Sequence, residues 1–405
     1  MIGVSKLYCG TVEPSDLLRY GRESKNLPSH LLQFSEDKKP VIVWNITKAC
    51  NLKCVHCYAS AISEPAPDEL TKNEAVSLVE SLTDYGVPVI LFSGGEPLLH
   101  PHLLELVGLA VTRGARAVLS TNGILLDREK ALKLKDLGLS YVGISLDGLD
   151  EAHDRMRRQK GAFKAALKAI VTAREAGLKV GLRLTLTKSN KDDIEDIFKL
   201  LVSEGIPRIC FYHLVDQGNN PSLPSEALSL AETRAAVDLI AKKTRELHEN
   251  GLAMEVLTVD NQSDGPYLYL KLLEEGRIKE ANAVMELLKL NGGASSGKGI
   301  AAISWNGLVH PDQFWRSVVL GSIREKSFKE IWHDPKNRLL MALKNKYTHL
   351  KGRCQVCRFL KVCGGGLRAR ADHFTGDPWA PDPACYLSDE EIGLASGQAN
   401  GKMAG

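Results

Sequence analysis

Val41-Ile42-Val43-Trp44-Asn45-Ile46-Thr47-Lys48-Ala49-Cys50-Asn51-Leu52-Lys53-Cys54-Val55-His56-Cys57-Tyr58 joins an apolar run to three closely spaced cysteines. The β-branched residues at its start predict a buried strand over 41–46. Three and then two residues separate the cysteines, and an aromatic follows the last one directly. Thiolates this close can hold three irons of one cubane cluster, which normally takes four cysteines. The fourth iron is then open to a substrate or cofactor, by the logic that separates catalytic from structural zinc sites. Two alternatives stand beside this one: a zinc site with a distant fourth ligand, and cysteines buried as small apolar side chains.

Outward from this stretch, short apolar runs alternate with longer amphipathic ones. Strands are predicted over 41–46, 87–92, 116–120, 141–146, 180–186 and 208–214. Helices are predicted over 73–85, 102–112, 128–137, 162–176 and 194–204. Strict alternation with continuous apolar strands is the pattern of a parallel sheet covered by helices. The predicted fold class is therefore α/β, an open or partial (β/α)6 barrel, and in such barrels the chemistry collects on the loops after the strands. The cysteine triplet follows the first of them.

The other strand ends carry suitable groups. After the second strand comes Phe92-Ser93-Gly94-Gly95-Glu96-Pro97, in which two glycines let backbone approach a ligand and Glu96 can accept a hydrogen bond from an ammonium group. A plain tight turn is the alternative. The third strand ends in Ser120-Thr121-Asn122-Gly123 and the fourth in Ser145-Leu146-Asp147-Gly148, small polar side chains suited to a ribose or an amino-acid headgroup. Arg183 lies inside the fifth strand, where it must pair with a carboxylate or face the barrel mouth.

The 405 residues suffice for one large core and a smaller second domain. Net charge is only +3, from 52 Lys and Arg against 49 Asp and Glu, which argues against nucleic acid or an anionic membrane as partner. The start lacks the pattern of a secretory signal, no window approaches a membrane span, and the expected location is cytoplasmic. Of nine cysteines, seven fall in two clusters, which in a reducing compartment indicates metal ligation. Cys9 stands alone.

Residues 1–39 are polar and turn-rich, with a possible short helix at 15–20, and read as an arm. Residues 40–218 are the barrel. After a Pro- and Ser-rich stretch at 219–226, two long helices are predicted at 228–249 and 267–290, with a short strand near 254–259; together 219–291 form a helical linker region. Residues 292–299 are flexible by composition. A β-hairpin follows over 300–310 through Asn306-Gly307, and the chain ends in a flexible tail at 389–405. Between hairpin and tail, Cys354, Cys357, Cys363 and Cys385 can complete a four-thiolate cluster with no open iron, or a zinc site of the same ligand count.

With Cys50, Cys54, Cys57 and Tyr58, the Gly94-Gly95-Glu96-Pro97 loop and these polar strand ends, residues 40–215 resemble a radical S-adenosylmethionine (SAM) enzyme. The resemblance implies a [4Fe-4S] cluster on the three cysteines, with the methionine amine and carboxylate of SAM on the open iron. The cluster would then donate one electron and release a deoxyadenosyl radical that takes hydrogen from the substrate. It further implies that Gly95 and Glu96 meet the methionine amine, with Gly94 also at the cofactor, that Tyr58 lies near the adenine, and that Ser145 and Arg183 contact the ribose and the carboxylate. Asn122 and Asp147 are further cofactor contacts, and a ferredoxin or flavodoxin is the implied electron donor.

Residues 292–388 resemble the SPASM and twitch extensions of that family, a smaller α+β domain in which Cys354, Cys357, Cys363 and Cys385 hold an auxiliary [4Fe-4S] cluster. The full SPASM pattern has a second auxiliary cluster, with a cysteine five residues after the hairpin glycine. Here that position is Asp312. No cysteine stands near Ser295 and Ser296, and Leu367 occupies a third cysteine position, so one auxiliary cluster is expected unless Asp312 is a ligand.

The stretch Met1–Gly10, Leu18-Arg19-Tyr20-Gly21 and Tyr212-His213-Leu214-Val215 resemble radical SAM enzymes that trim side chains of modified tetrapyrroles. This implies heme biosynthesis and a siroheme-derived disc, from which either two acetate groups or, as in the heme d1 branch, propionate groups are removed. His213 could reach the substrate iron, or be a hydrogen-bonded core histidine. Arg19, Arg22, Arg368 and Arg370 could meet substrate carboxylates, or be solvated surface charges. A SPASM-type peptide maturase and a zinc-stabilised binding protein are the remaining alternatives.

Overall fold

The strands, in chain order, are β1 (Ile2–Gly3), β2 (Val41–Asn45), β3 (Val89–Ser93), β4 (Arg116–Thr121), β5 (Tyr141–Ser145) and β6 (Val180–Leu186). They continue with β7 (Arg208–His213), β8 (Glu255–Val259), β9 (Ile300–Ile303), β10 (Leu308–His310) and β11 (Gly321–Ser322). The computed structural model describes residues 1–11, 39–216 and 223–394. The helix expected at 15–20, Arg19, Arg22, residues 219–222 of the linker stretch and most of the C-terminal tail lie outside the described residues, and Leu223–Glu226 of that stretch is a short helix.

The chain divides into two compact units, residues 35–227 with 296–344, and residues 1–34 with 228–295 and 345–405. In the first, β2 to β7 form one parallel sheet in the order β7-β6-β5-β4-β3-β2. This is the predicted (β/α)6 frame. Its strands are apolar runs because helices cover the sheet: Ile42, Trp44, Ile90, Phe92, Ala117 and Leu119 are wholly buried. Trp44 pairs with Phe92 in register, and their rings lie 5.7 Å apart.

The helices begin where the sequence provides caps. Thr71 opens helix Lys72–Tyr85 with a capping box, Glu74 N donating to Thr71 Oγ1 at 3.4 Å and Thr71 N to Glu74 Oε2 at 2.8 Å. Helix Asp150–Arg157 has no counterpart among the predicted elements, because its sequence is almost wholly polar. Only His153, Met156 and Arg157, at helical spacing, are buried. Its charges do carry a signal: Asp150 and Glu151 in the first turn and Arg155 and Arg157 in the last complement the helix dipole.

The predicted hairpin forms between β9 and β10, and β9 also pairs in parallel with β2. The hairpin thus extends the main sheet beyond its cysteine-bearing strand, and β11 adds to β10.

In the other unit, β1 pairs antiparallel with β8, and helix Val4–Cys9 buries Val4, Ser5, Leu7 and Tyr8. The helix expected over 267–290 is two, Asp264–Glu274 and Ile278–Asn291. Gly276 breaks it with a left-handed φ of 73°, the conformation that ends helices. The stretch expected to be flexible at 292–299 is tied down, with Ala294 N donating to Cys363 O at 3.0 Å.

Candidate metal centre

Cys50, Cys54 and Cys57 lie in the loop leaving the C-terminal end of β2. Hydrogen bonds fix that loop from two sides. Cys50 N donates to Ile62 O at 2.7 Å and Ile62 N to Lys48 O at 3.0 Å; from the loop after β3, Gly95 N donates to Thr47 O at 2.8 Å and Glu96 N to Ala49 O at 2.7 Å. A Cβ on Gly95 would lie 2.1 Å from Ala49 O, and one on Gly94, at φ +142°, would lie 2.5 Å from Thr47 O. The sequence suggests that these glycines admit a ligand. Their tight neighbour is instead the backbone that carries the cysteines.

Glu96 is wholly buried, and both carboxylate oxygens are engaged by the protein. Oε1 accepts from Thr121 Oγ1 at 2.7 Å and Leu98 N at 3.0 Å, and Oε2 accepts from Asn122 N at 2.8 Å. Burial raises its pKa against these three donors. The side chain ties the end of β4 to the loop after β3. Asn122 in turn donates through Nδ2 to Asn51 Oδ1 at 2.9 Å, inside the cysteine loop.

From the third side comes the segment after β5. Asp147, 1% exposed, contacts Arg157 through a very short ion pair and His56 Nε2 at 3.2 Å, while its Oδ1 accepts from Thr185 N at 2.8 Å. Although burial alone would raise it, the charges of Arg157 and His56 hold this carboxyl far below the usual carboxylate range. Asp147 N donates to His153 Nδ1 at 2.9 Å, so His153 carries its proton on Nε2; burial lowers its pKa to about 4. Arg157 Nη1 reaches Cys54 Sγ at 3.5 Å. Neither Arg157 nor His56 stands out in the sequence; Arg157 is buried beside the cysteines through the unpredicted helix, and His56 is half-buried in the loop itself.

Tyr58 donates to Asn45 Oδ1 at 3.1 Å and packs its ring edge-on against Phe314, centroids 5.3 Å apart. Arg316 Nη1 donates to Ala59 O at 2.6 Å. Asp312 is buried in this segment: Oδ1 accepts from Phe314 N at 2.9 Å and Trp315 N at 3.0 Å, and the other oxygen takes the hydroxyl of Ser296. Asp312, where the full SPASM pattern has a cysteine, is thus bonded to Ser296, one of the two serines near which the pattern's upstream cysteine is missing.

Ser145 and Arg183 are register partners at the β5–β6 pair, and Arg183 lies over the Tyr212 ring at 4.7 Å. Among the described residues Arg183 has no carboxylate partner; the Tyr212 ring is its neighbour. His213, 6% exposed, ends β7 opposite Leu186.

In the other unit, Cys354, Cys357, Cys363 and Cys385 line one cavity with Asn261, Arg353, Phe359 and Asp382. Burial pushes the Cys385 thiol up to about 11 and, in the β2 loop, the Cys50 thiol up to about 12. Arg368 and Arg370, expected on the surface or at a substrate rim, are both buried here. Arg370 Nη1 is 3.1 Å from both oxygens of Asp382, and Arg368 Nη1 donates to Pro378 O and Ala380 O at 2.8 and 2.7 Å.

Thiol-rich donor sets suit iron–sulfur clusters or zinc. Among the described residues no three His, Cys, Asp or Glu side chains converge on a point that a single ion could occupy.

A parallel (β/α)6 frame with three cysteines at the end of its first sheet strand, and four more in a second unit, defines a radical SAM enzyme with a SPASM extension. The radical SAM superfamily profile matches residues 44–201, and that of the SPASM iron-sulfur cluster-binding domain matches 295–358. The radical SAM domain accordingly binds a [4Fe-4S] cluster and SAM, and the SPASM region is an additional iron–sulfur cluster-binding domain.

Over 396 residues the chain is 57% identical to Fe-coproporphyrin III synthase of Methanosarcina barkeri, covering 97% of this chain and 99% of that one. It is 38% identical to pre-heme d1 synthase of Dinoroseobacter shibae, covering 88% and 89%. The chain belongs to the radical SAM family of heme-biosynthesis enzymes. Its fold is shared more widely: Streptococcus suis SuiB bound to its precursor peptide superimposes with a TM-score of 0.69 at 17% identity, covering 90% of this chain and 82% of that one. Native anSMEcpe with bound AdoMet gives 0.66 at 19%, covering 87% and 95%.

Proposed function

We propose that this chain is an Fe-coproporphyrin III synthase, which removes the two acetate side chains of 12,18-didecarboxysiroheme. The reading is carried by 57% identity running through essentially the whole of both chains, against 38% for the pre-heme d1 synthase. When bound, the cluster and SAM supply one-electron cleavage and hydrogen abstraction; the protein supplies binding, orientation and exclusion of water.

In this reading Cys50, Cys54 and Cys57 hold the SAM-site cluster. Gly94 and Gly95 fit their loop against the cysteine loop and present backbone to the methionine amine. Glu96 and Asn122 act by fixing that shape, since the Glu96 carboxylate is engaged by Thr121, Leu98 and Asn122. Ser145, at the end of β5, and its register partner Arg183, inside β6, serve the ribose and carboxylate, and Tyr58, packed on Phe314, borders the adenine. Asp147 anchors the cysteine loop rather than meeting the cofactor. His213 reaches the substrate iron from the end of β7.

Cys354, Cys357, Cys363 and Cys385 hold the one auxiliary cluster. Asp312 is not an iron ligand, because the Phe314 and Trp315 amides and the Ser296 hydroxyl occupy its carboxylate. A ferredoxin- or flavodoxin-type protein delivers the electron in the cytoplasm, where thiols stay reduced. No helix of the described residues is long and apolar enough to cross a membrane.

The test is the mass of the product. Reduced, reconstituted protein incubated with SAM and 12,18-didecarboxysiroheme should yield Fe-coproporphyrin III by loss of two acetates. Loss of propionates instead would move the chain to the heme d1 branch, and no tetrapyrrole product would refute the reading.

A further inference from the structure

Three consecutive residues of the cysteine loop are each held by the segment that follows β5. Arg157 Nη1 donates to Cys54 Sγ at 3.5 Å, Val55 N donates to Met156 O at 2.9 Å, and His56 Nε2 lies 3.2 Å from Asp147. Asp147 and Arg157 close this clamp on each other through a very short ion pair. The carboxylate cannot swing away, because Thr185 N holds its other oxygen and Asn190 Nδ2 donates to its backbone carbonyl at 3.0 Å. Arg157 is 8% exposed and Asp147 1%. A guanidinium buried this way is fixed in direction, and its free fork points at one sulfur of the three.

Hydrogen bonds and net charge at the cysteine sulfurs set the reduction potential of an iron–sulfur cluster. A cationic donor stabilises the sulfur more in the reduced, more negative cluster, and so raises the potential. Among the described residues no cation donates a hydrogen bond to either of the other two cysteines, although the Arg316 charge acts on Cys57. Leu52 N lies 3.4 Å from Cys50 Sγ, a neutral donor.

We infer that Arg157, locked by Asp147, is a positioning residue for the SAM-site cluster, which orients the Cys54 ligand and raises that cluster's potential into the range of its electron donor. This rests on Cys50, Cys54 and Cys57 being the cluster ligands. Cys54→Ala tests that separately: it should lose the iron of this site alone, and unchanged iron would refute the ligand assignment rather than the role of Arg157.

The experiment is a redox titration of the holoenzyme followed by electron paramagnetic resonance, taking the signal that changes on adding SAM. Arg157→Gln should keep its iron and shift the reduction equilibrium about tenfold toward the oxidised cluster, roughly 59 mV for one electron. Arg157→Lys keeps the charge but cannot bridge carboxylate and sulfur, and should recover part of the shift. In an Asp147→Asn background, which frees the guanidinium, Arg157→Gln should shift the potential by less than it does with Asp147 in place. An unchanged potential in Arg157→Gln overturns the inference. So does loss of the SAM-site iron in both Arg157 variants, which would make Arg157 an assembly element only.

Discussion

Gly95→Ala is the sharpest perturbation the structure offers. The added methyl would sit 2.1 Å from Ala49 O, 2.6 Å from Ala49 C and 2.7 Å from Lys48 O. All three are backbone atoms, so no side-chain rotation relieves the contact. Parting the loops to an ordinary C···O separation of roughly 3.3 Å breaks the bonds from Gly95 N to Thr47 O and from Glu96 N to Ala49 O, now 2.8 and 2.7 Å. Each buried bond left unmade costs ~1–3 kcal/mol, so the pair costs about 4 kcal/mol. For a unit of this size that lowers the melting temperature by roughly 8–16 °C.

The loops that separate are the ones that place Cys50. Iron in the reconstituted protein should therefore fall from about eight per chain to about four, the auxiliary cluster alone. The assay is anaerobic thermal unfolding by circular dichroism together with iron and sulfide analysis. Gly86→Ala is the control: its φ of +85° disfavours a side chain, but nothing lies within 4 Å of its Cβ, and it should keep full iron. Gly95→Ala with wild-type iron and a melting point within about 2 °C of wild type would refute the reasoning.

Glu96→Gln turns one of two acceptor oxygens into an NH2 group facing a donor, and should cost ~1–3 kcal/mol in chemical denaturation; a neutral result would show that the three bonds are not made in solution. Arg370→Ala leaves the Asp382 carboxylate buried without its guanidinium, at a cost of ~3–5 kcal/mol, and should remove the auxiliary cluster's iron while leaving the SAM-site signal. With the Cys50 thiol near 12 and the Cys385 thiol near 11, both are protonated in the metal-free protein near neutrality. Each must release a proton to bind iron, so cluster retention against a chelator should rise with pH from about 7 to about 8.5. A flat profile would contradict the burial of these thiols.

Much of this was legible in the chain because its physical basis is local. Strand–helix alternation needs only periodicity, and it predicts the six strands β2 to β7 of the frame, though not that β9 joins them in parallel. Thiol spacing within a loop is likewise local, so both cysteine groups were visible, as was the Asn306-Gly307 hairpin. Helix Asp150–Arg157 was not visible, since a polar helix buries too few residues to show a hydrophobic period. Gly276 was an isolated glycine in a helical pattern, and only the observed φ shows that it ends one helix.

The sequence alone determined the fold class, the two sets of cysteines and the resemblance to radical SAM enzymes, because each is written in spacing along the chain. The tertiary structure decided what each polar group is for. It gave the Glu96 carboxylate to Thr121, Leu98 and Asn122 rather than to a ligand, buried Arg368 and Arg370 instead of exposing them, paired Ser296 with Asp312, and set Arg157 against Cys54 across more than a hundred residues of sequence. A buried polar side chain must find a partner, and the sequence does not say which distant residue the fold brings within 3 Å of it.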